Sequence, residues 1–113
     1  MITYWHNPRC SKSRAGLALL EERGAEAQQR LYLQDSPSVE EIKAVQAALG
    51  ISVVELMRTG EKVFKELGLS KDSPEEVLLE AMAANPILIE RPIAIKGGKA
   101  VIGRPTEAIE ALL

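Results

Sequence analysis

The chain has 113 residues, of which 46% are hydrophobic and 27% charged, and its formal net charge is −2 at pH 7. This length predicts one domain with one core, and the nearly balanced charge disfavours electrostatic binding to nucleic acid or to a membrane surface. One cysteine cannot form an internal disulfide, no stretch approaches the roughly 20 apolar residues of a membrane span, and no signal-like region precedes the first strand, so we expect a reducing, cytoplasmic location.

The first part of the chain is predicted to run strand, helix, strand. Residues 2–5 are typical of a strand, residues 14–22 of a helix that Gly24 ends, and residues 28–33 of a second strand. In that second strand the weak alternation puts Leu31 and Leu33 on the apolar face. A helix that connects two strands predicts that they pair in parallel.

The middle of the chain is predicted to be helical. Serine followed three residues later by glutamate is typical of a capping box at a helix start, and this pattern begins at Ser38, Ser52 and Ser73. Apolar residues around Phe64 predict a further short helix, and the last helix must end before Pro86. We therefore expect a single domain over residues 1–113, with a helical insertion at about residues 38–84.

The last part of the chain predicts a hairpin and a closing helix. Residues 92–96 and 99–103 are β-rich and are joined by Gly97-Gly98, a two-residue turn signal, and residues 106–113 then favour a helix. The predicted order is β-α-β, a helical insertion, then β-β-α. This order predicts an α/β fold with a mixed sheet of the thioredoxin-like type.

Cys10, the only cysteine, lies where the first strand feeds the first helix. Unpaired N–H groups and the positive end of the helix dipole at such a turn favour a thiolate. Arg9, Lys12 and Arg14 add three positive charges within four residues of the sulfur. The alternative is a small buried structural cysteine, but this surrounding charge favours a reactive thiol.

Ser13 and His6 are the polar neighbours of this thiol along the chain. Ser13 occupies the position of the second cysteine in a Cys-x-x-Cys motif, so a mixed disulfide on Cys10 needs an external thiol to resolve it. Ser13 could hydrogen-bond the thiolate or cap the helix. His6, the only histidine, could stabilise the thiolate when charged, act as a base when neutral, or be a polar residue without a role. No further ligands stand at zinc-site spacing, so we expect no metal.

Three arginines at predicted element ends are candidate oxyanion ligands, because a guanidinium group offers paired N–H donors. They are Arg58, Arg91 and Arg104. A phosphatase loop of the Cys-x5-Arg type is excluded, because Gly16 occupies the position of its arginine.

Over essentially its whole length, the sequence resembles the glutaredoxin-coupled arsenate reductase family, which has a thioredoxin fold with a helical insertion. The matching motifs are His6-Asn7-Pro8-x-Cys10-x-x-Ser13-Arg14, Leu49-Gly50-Ile51-Ser52, Leu56-Met57-Arg58, Glu66-Leu67-Gly68-Leu69, Pro86-Ile87-Leu88-Ile89-x-Arg91-Pro92-Ile93 and Arg104-Pro105.

The resemblance implies an enzyme that reduces arsenate to arsenite, with Cys10 as the nucleophile that attacks arsenate. Glutathione is then a co-substrate, glutaredoxin a protein partner, and no cofactor is bound. The resemblance also implies that the three arginines named above hold the oxyanion, and that a cis peptide bond before Pro92 brings Arg91 beside Cys10. Supporting roles are implied for His6, Asn7, Ser13, Arg14 and Pro92.

Two departures and two alternatives accompany this resemblance. Ser11-Lys12 stands where the best-characterised members have Gly-Thr, and Arg9 also differs from them. The first alternative is a regulatory or interaction module without catalysis, although regulators of this family that bind RNA polymerase usually carry the Cys-x-x-Cys that Ser13 interrupts. The second is another glutathione-dependent thiol oxidoreductase on the same fold.

Overall fold

The computed structural model describes residues 1–113 and divides into two compact units. The first unit comprises Met1–Asp35 and Arg91–Leu113, and the second comprises Ser36–Glu90. The second unit contains the predicted helical insertion; that the whole chain forms one domain stays a prediction. None of the helices is long and apolar enough to cross a bilayer.

The first unit is built on a four-stranded sheet in the order β2-β1-β3-β4. The strands are β1 (Ile2–Trp5), β2 (Ala27–Arg30), β3 (Ile93–Lys96) and β4 (Lys99–Ile102). β1 pairs in parallel with β2 and antiparallel with β3, which pairs antiparallel with β4. The predicted parallel pair, the hairpin and the mixed sheet are therefore confirmed.

One helix and one 3₁₀ segment complete the first unit. Helix α1 (Ser11–Glu22) begins three residues earlier than the sequence predicts, and the closing segment Thr106–Leu112 is a 3₁₀ helix. Both pack on the sheet around a common core, since contacts link α1 to the closing segment and the closing segment to β3 and β4. The buried core residues are Ile2, Tyr4, Leu20, Ala94, Ile109 and Leu112.

The prediction for the second strand is wrong at its end. β2 stops at Arg30, and the chain then turns, because the N–H groups of Gln34 and Asp35 donate to the carbonyl oxygen of Leu31. Tyr32 is buried, whereas Leu31 and Leu33 are 37% and 39% exposed, the reverse of the predicted faces. A turn does not keep the side-chain period of two on which that prediction depends.

The second unit contains three α-helices, with two 3₁₀ turns at Val54–Leu56 and Pro86–Leu88. The α-helices are α2 (Val39–Leu49), α3 (Lys62–Glu66) and α4 (Glu75–Ala84). The first predicted capping box is confirmed at Ser38 and Glu41, and Gly50 ends α2 with a φ of 67°. The second box forms at Ser52 and Glu55 but begins only one 3₁₀ turn.

The third predicted capping box is wrong. The Ser73 hydroxyl accepts a hydrogen bond from the N–H of Ser70 and does not cap α4. Pro74 occupies the N-cap position instead, so α4 begins one residue later than the box requires. The proline that was expected inside the helix thus precedes it.

Candidate active site

The thiol of Cys10 lies at the N-terminus of α1, in the turn that follows β1. The N–H of Cys10 donates to the carbonyl oxygen of Asn7 at 3.0 Å, and the Cys10 carbonyl accepts the N–H of Arg14 at 3.0 Å. Cys10 is the N-cap residue of α1, with an extended backbone, and no side-chain oxygen caps this helix. The first N–H groups of α1 therefore lie at the sulfur, which is partly exposed.

These surroundings favour the thiolate form of Cys10. Burial raises the pKa of the thiol, but a hydrogen bond from the Arg91 side chain, the N–H groups of Ser13 and Lys12, and the Arg91 charge outweigh it. The net effect is a pKa below the usual value of a cysteine. A thiolate held this way is the nucleophilic form of the residue.

The sheet brings Arg91 to this thiol. β3 pairs with β1 so that Ile93 lies opposite Trp5, and residues 91–92 therefore lie where β1 runs into the Cys10 turn. The Arg91–Pro92 peptide bond is cis, as the resemblance implies. Arg104, which follows β4, donates a hydrogen bond from Nε to the carbonyl oxygen of Arg91 at 2.7 Å. Arg104 is thus next to the main chain of Arg91, whose side chain bonds to the thiol; the approach of Arg104 to an oxyanion stays a prediction.

Ser13 joins the thiol to the end of β1. Its backbone N–H bonds to Cys10, as described above, while its hydroxyl lies 2.7 Å from Nδ1 of His6 and accepts the N–H of Asn7 at 2.9 Å. Both Ser13 and His6 are buried. The Ser13 side chain therefore fixes the loop. The group that Ser13 presents to the sulfur is its main-chain N–H.

The surroundings of His6 favour its neutral form. Burial lowers the pKa of the ring, and the positive charge of Arg14 lowers it further. Of the roles that the sequence left open for His6, a charged imidazole beside the thiolate is the one that these surroundings disfavour.

Two further hydrogen bonds hold the loop of residues 7–10. The Arg14 guanidinium donates from Nη1 to the carbonyl oxygen of Pro8 at 2.8 Å, and the Asn7 side chain accepts the N–H of Arg9 at 3.0 Å. The side chains of Asn7 and Arg14 therefore support the shape of the turn, because each bonds to a main-chain atom of the loop.

Arg58 belongs to the second unit, where two carboxylates bind it. Its Nε lies 3.2 Å from Oε2 of Glu61, and its Nη1 lies 3.5 Å from Oε1 of Glu90. The antiparallel bridge between Met57 and Ile89 pairs Arg58 with Leu88, whose carbonyl oxygen accepts the Arg58 N–H at 2.7 Å, and Glu90 lies diagonally across from Arg58. Its expected approach to an oxyanion at Cys10 stays a prediction.

Tyr4 is the site residue that sequence reasoning missed. Its hydroxyl donates to the carbonyl oxygen of Ser13 at 2.7 Å, directly beneath the first turn of α1. The spacing of two between Ile2 and Tyr4 on β1 predicts that both face the core, but it carries no signal for the partner of a hydroxyl. Elsewhere in the chain, no three His, Cys, Asp or Glu side chains converge as a metal site would require.

Comparison with known proteins places this chain in a family. The sequence profile of the ArsC family matches residues 5–112. The chain is 47% identical to an arsenate reductase of Neisseria meningitidis over 99% of its own length and 97% of that protein. It is 44% identical to an arsenate reductase of Haemophilus influenzae, over 99% and 98% of the two chains.

The solved structures agree with the sequence matches. The structure of an arsenate reductase from Vibrio cholerae superposes with a TM-score of 0.95 at 46% identity, and it covers 99% of this chain and 97% of that one. This match confirms the expected thioredoxin-like α/β fold.

Proposed function

Because the chain belongs to the ArsC family, we propose that it reduces arsenate to arsenite, with Cys10 as nucleophile and glutathione and glutaredoxin as electron donors. The observation that supports this most is the set of donors around the thiol, namely the Arg91 side chain and the N–H groups of Lys12 and Ser13. The same donor types bind the oxygens of a tetrahedral oxyanion.

In the first step, the Cys10 thiolate attacks arsenic(V). A sulfur–arsenic bond forms, and one arsenate oxygen leaves as water after it has been protonated. Arg58, Arg91 and Arg104 hold the remaining oxygens in this proposal and stabilise the negative charge of the adduct.

In the second step, glutathione supplies the reducing electrons. Its sulfur forms a disulfide with Cys10 while the sulfur–arsenic bond breaks, and the electron pair of that bond reduces arsenic(V) to arsenic(III), which leaves as arsenite. Ser13 cannot resolve this disulfide, so a glutaredoxin thiolate attacks the glutathione sulfur and releases Cys10. The cycle needs no bound cofactor or metal, and because it depends on a reduced thiol pool, we place it in the cytoplasm.

A coupled assay tests this function. In the presence of glutathione, glutaredoxin and glutathione reductase, the protein should consume NADPH when arsenate is added, and phosphate at the same concentration serves as the matched oxyanion control. Cys10→Ser should abolish this turnover while the protein stays folded. Wild-type turnover no faster than the enzyme-free background would refute the proposal, and activity retained by Cys10→Ser would refute the assignment of the nucleophile.

A different glutathione-dependent thiol oxidoreductase is the second candidate, and the ion pairs of Arg58 favour it. Because Glu61 and Glu90 already compensate the charge of that guanidinium, the second unit fits a reaction that needs Cys10 but no oxyanion. Turnover of 2-hydroxyethyl disulfide with glutathione, in the absence of any arsenate activity, would identify this function. If the protein turns over neither arsenate nor 2-hydroxyethyl disulfide, the regulatory or interaction module without catalysis is the function that remains.

A further inference from the structure

The Tyr4 hydroxyl is buried directly beneath the first turn of α1. Tyr4 is 0% exposed, and its hydroxyl donates to the carbonyl oxygen of Ser13 at 2.7 Å. The pKa of Tyr4 is raised to about 12, chiefly by burial; the Ser13 side chain counteracts burial, and the Cys10 charge adds to it. The hydroxyl is therefore protonated, and acts as a hydrogen-bond donor, at neutral pH.

Helix α1 packs so closely on this hydroxyl that residue 16 has room only for glycine. A Cβ atom added at Gly16 would overlap the Tyr4 hydroxyl oxygen and would lie 2.8 Å from Cδ1 of Ile109. Ser13 and Gly16 are one helical turn apart and share a face of α1. The hydroxyl thus contacts the helix at two successive turns. These contacts set the distance between α1 and β1.

Ser13 connects Tyr4 to the sulfur. Its carbonyl oxygen accepts from Tyr4, its N–H bonds to Cys10, and its hydroxyl bonds to His6 and to the N–H of Asn7. Every polar group of this buried residue is engaged. A displacement of the Ser13 carbonyl therefore moves the N–H that holds the thiolate.

We propose that the Tyr4 hydroxyl is a positioning group for the Cys10 nucleophile, which it serves by fixing the Ser13 carbonyl and with it the N–H groups that bind the thiolate. This inference rests on the proposed function, because it concerns the nucleophile of that reaction. Tyr4 touches no substrate in this role and acts only through Ser13.

Several charged or titratable groups surround the thiol and must be kept constant in a test. Arg91 reaches it from the segment before β3, and Tyr4 influences it from β1. His6 bonds to Ser13 and is influenced by the charge of Arg14. The flanking cations along the chain are Arg9, Lys12 and Arg14.

Tyr4→Phe removes the hydroxyl and leaves all of these charges in place. We expect the titration midpoint of the Cys10 thiol, followed by ultraviolet absorbance, to rise by about half to one pH unit, the effect of one ordinary hydrogen bond. The rate of alkylation by iodoacetamide below that midpoint should fall by a factor of about three to ten. Gly16→Ala, which displaces the hydroxyl, should shift the midpoint in the same direction.

Tyr32→Phe is the matched control, because Tyr32 is also buried, at 1% exposure, in the same unit. It should leave the thiol titration at the wild-type value whatever it does to the melting temperature. If Tyr4→Phe lowers the melting temperature but leaves the titration unchanged, Tyr4 serves packing alone and the proposal is overturned. None of these readouts uses arsenate, so a wild-type protein that lacks arsenate turnover would refute the proposed function separately.

Discussion

Two helices of this protein begin in opposite ways. At α2, the Ser38 hydroxyl accepts the N–H of Glu41 at 3.2 Å, and the Glu41 carboxylate accepts the N–H of Ser38 at 3.0 Å. At α1, the N-cap residue is Cys10, no side-chain oxygen caps the helix, and N–H groups of the first turn bind the sulfur. The start of α2 is closed by its own side chains, whereas N–H groups at the start of α1 bind the sulfur of Cys10.

Arg58 and the arginines around the thiol differ in the same sense. In the second unit, two carboxylates bind Arg58, and they compensate its charge. In the first unit, Arg91 bonds to the thiol, and Arg14 donates to a carbonyl oxygen, which carries no formal charge. The positive charge that acts on the Cys10 thiol in these contacts therefore comes from the first unit.

Removal of Arg91 should have the largest effect on activity, because Arg91 is the arginine that bonds to the thiol. We expect Arg91→Ala to lower kcat/KM for arsenate by about 10²–10³-fold, the usual cost of one lost donor to a developing negative charge. Alkylation of Cys10 at neutral pH should slow as well, because a cation that lowers the thiol pKa is gone. Arg91→Lys should restore only part of the activity, since an ammonium group lacks the paired donors of a guanidinium.

Arg23→Ala is the matched control for this experiment. Arg23 follows α1 in the same unit and pairs with Glu110 at 3.1 Å, and both side chains are well exposed. Its loss should leave kcat/KM and the alkylation rate unchanged. Equal kinetics for Arg91→Ala and Arg23→Ala would show that the contact of Arg91 with the thiol has no catalytic use.

Arg58→Ala should affect stability as well as activity, unlike Arg91→Ala. Its loss leaves Glu61 and Glu90 without the cation between them, and these side chains are only 26% exposed. We expect a loss of about 1–2 kcal/mol, between the values for surface and buried ion pairs, and a Tm lower by about 4–8 °C.

Lys43→Ala is the control for the melting temperature of Arg58→Ala. The Lys43–Glu76 pair is 3.9 Å long and well exposed, so its removal should change Tm by no more than about 2 °C. The double variant Glu61→Gln/Glu90→Gln should reduce the cost of Arg58→Ala. An unchanged Tm in Arg58→Ala, together with lost turnover, would instead indicate an arginine held for substrate alone.

Local signals were sufficient for the elements whose ends are decided by neighbouring residues. The Ser38 box, the Gly50 stop and the Gly97-Gly98 hairpin could be predicted, because each depends on residues within one turn. The end of β2 could not be placed correctly, since its pairing residues include Gln28 and Gln29, and its partner β1 is remote in sequence. Polar strand residues give no apolar alternation from which to read a register.

The same distinction between local and remote signals applies to the residues of the site. Cys10 and its flanking charges could be predicted, because they lie in one short segment. The approach of Arg91 depends on the pairing of β3 with β1, and only the family resemblance anticipated it. The hydrogen bond from Tyr4 to Ser13 followed from neither, because it depends on how closely α1 packs on the sheet.

The smallest expected effect concerns the two helix starts themselves. Serine is a better N-cap than cysteine, so Cys10→Ser should make the start of α1 resemble that of α2. At pH 5, where the thiol carries less charge than at neutral pH, we expect the melting temperature of Cys10→Ser to exceed that of the wild type by a few degrees, for a gain of about 0.5–1 kcal/mol.

This advantage should shrink as the pH rises. The pKa of Cys10 is lower in the folded state than in the unfolded chain, so the folded protein binds fewer protons between the two values and gains stability with rising pH. That contribution is complete above the unfolded value of about 8.5 and is lost as the pH falls through the folded value. His6, whose pKa is also lowered, destabilises the protein as the pH falls below about 6.5, but it is present in both proteins and cancels in their difference. Melting curves of the two proteins between pH 5 and pH 9 measure this difference directly. A difference that does not change with pH would mean that the first turn of α1 gives the thiolate no more stabilisation than water does.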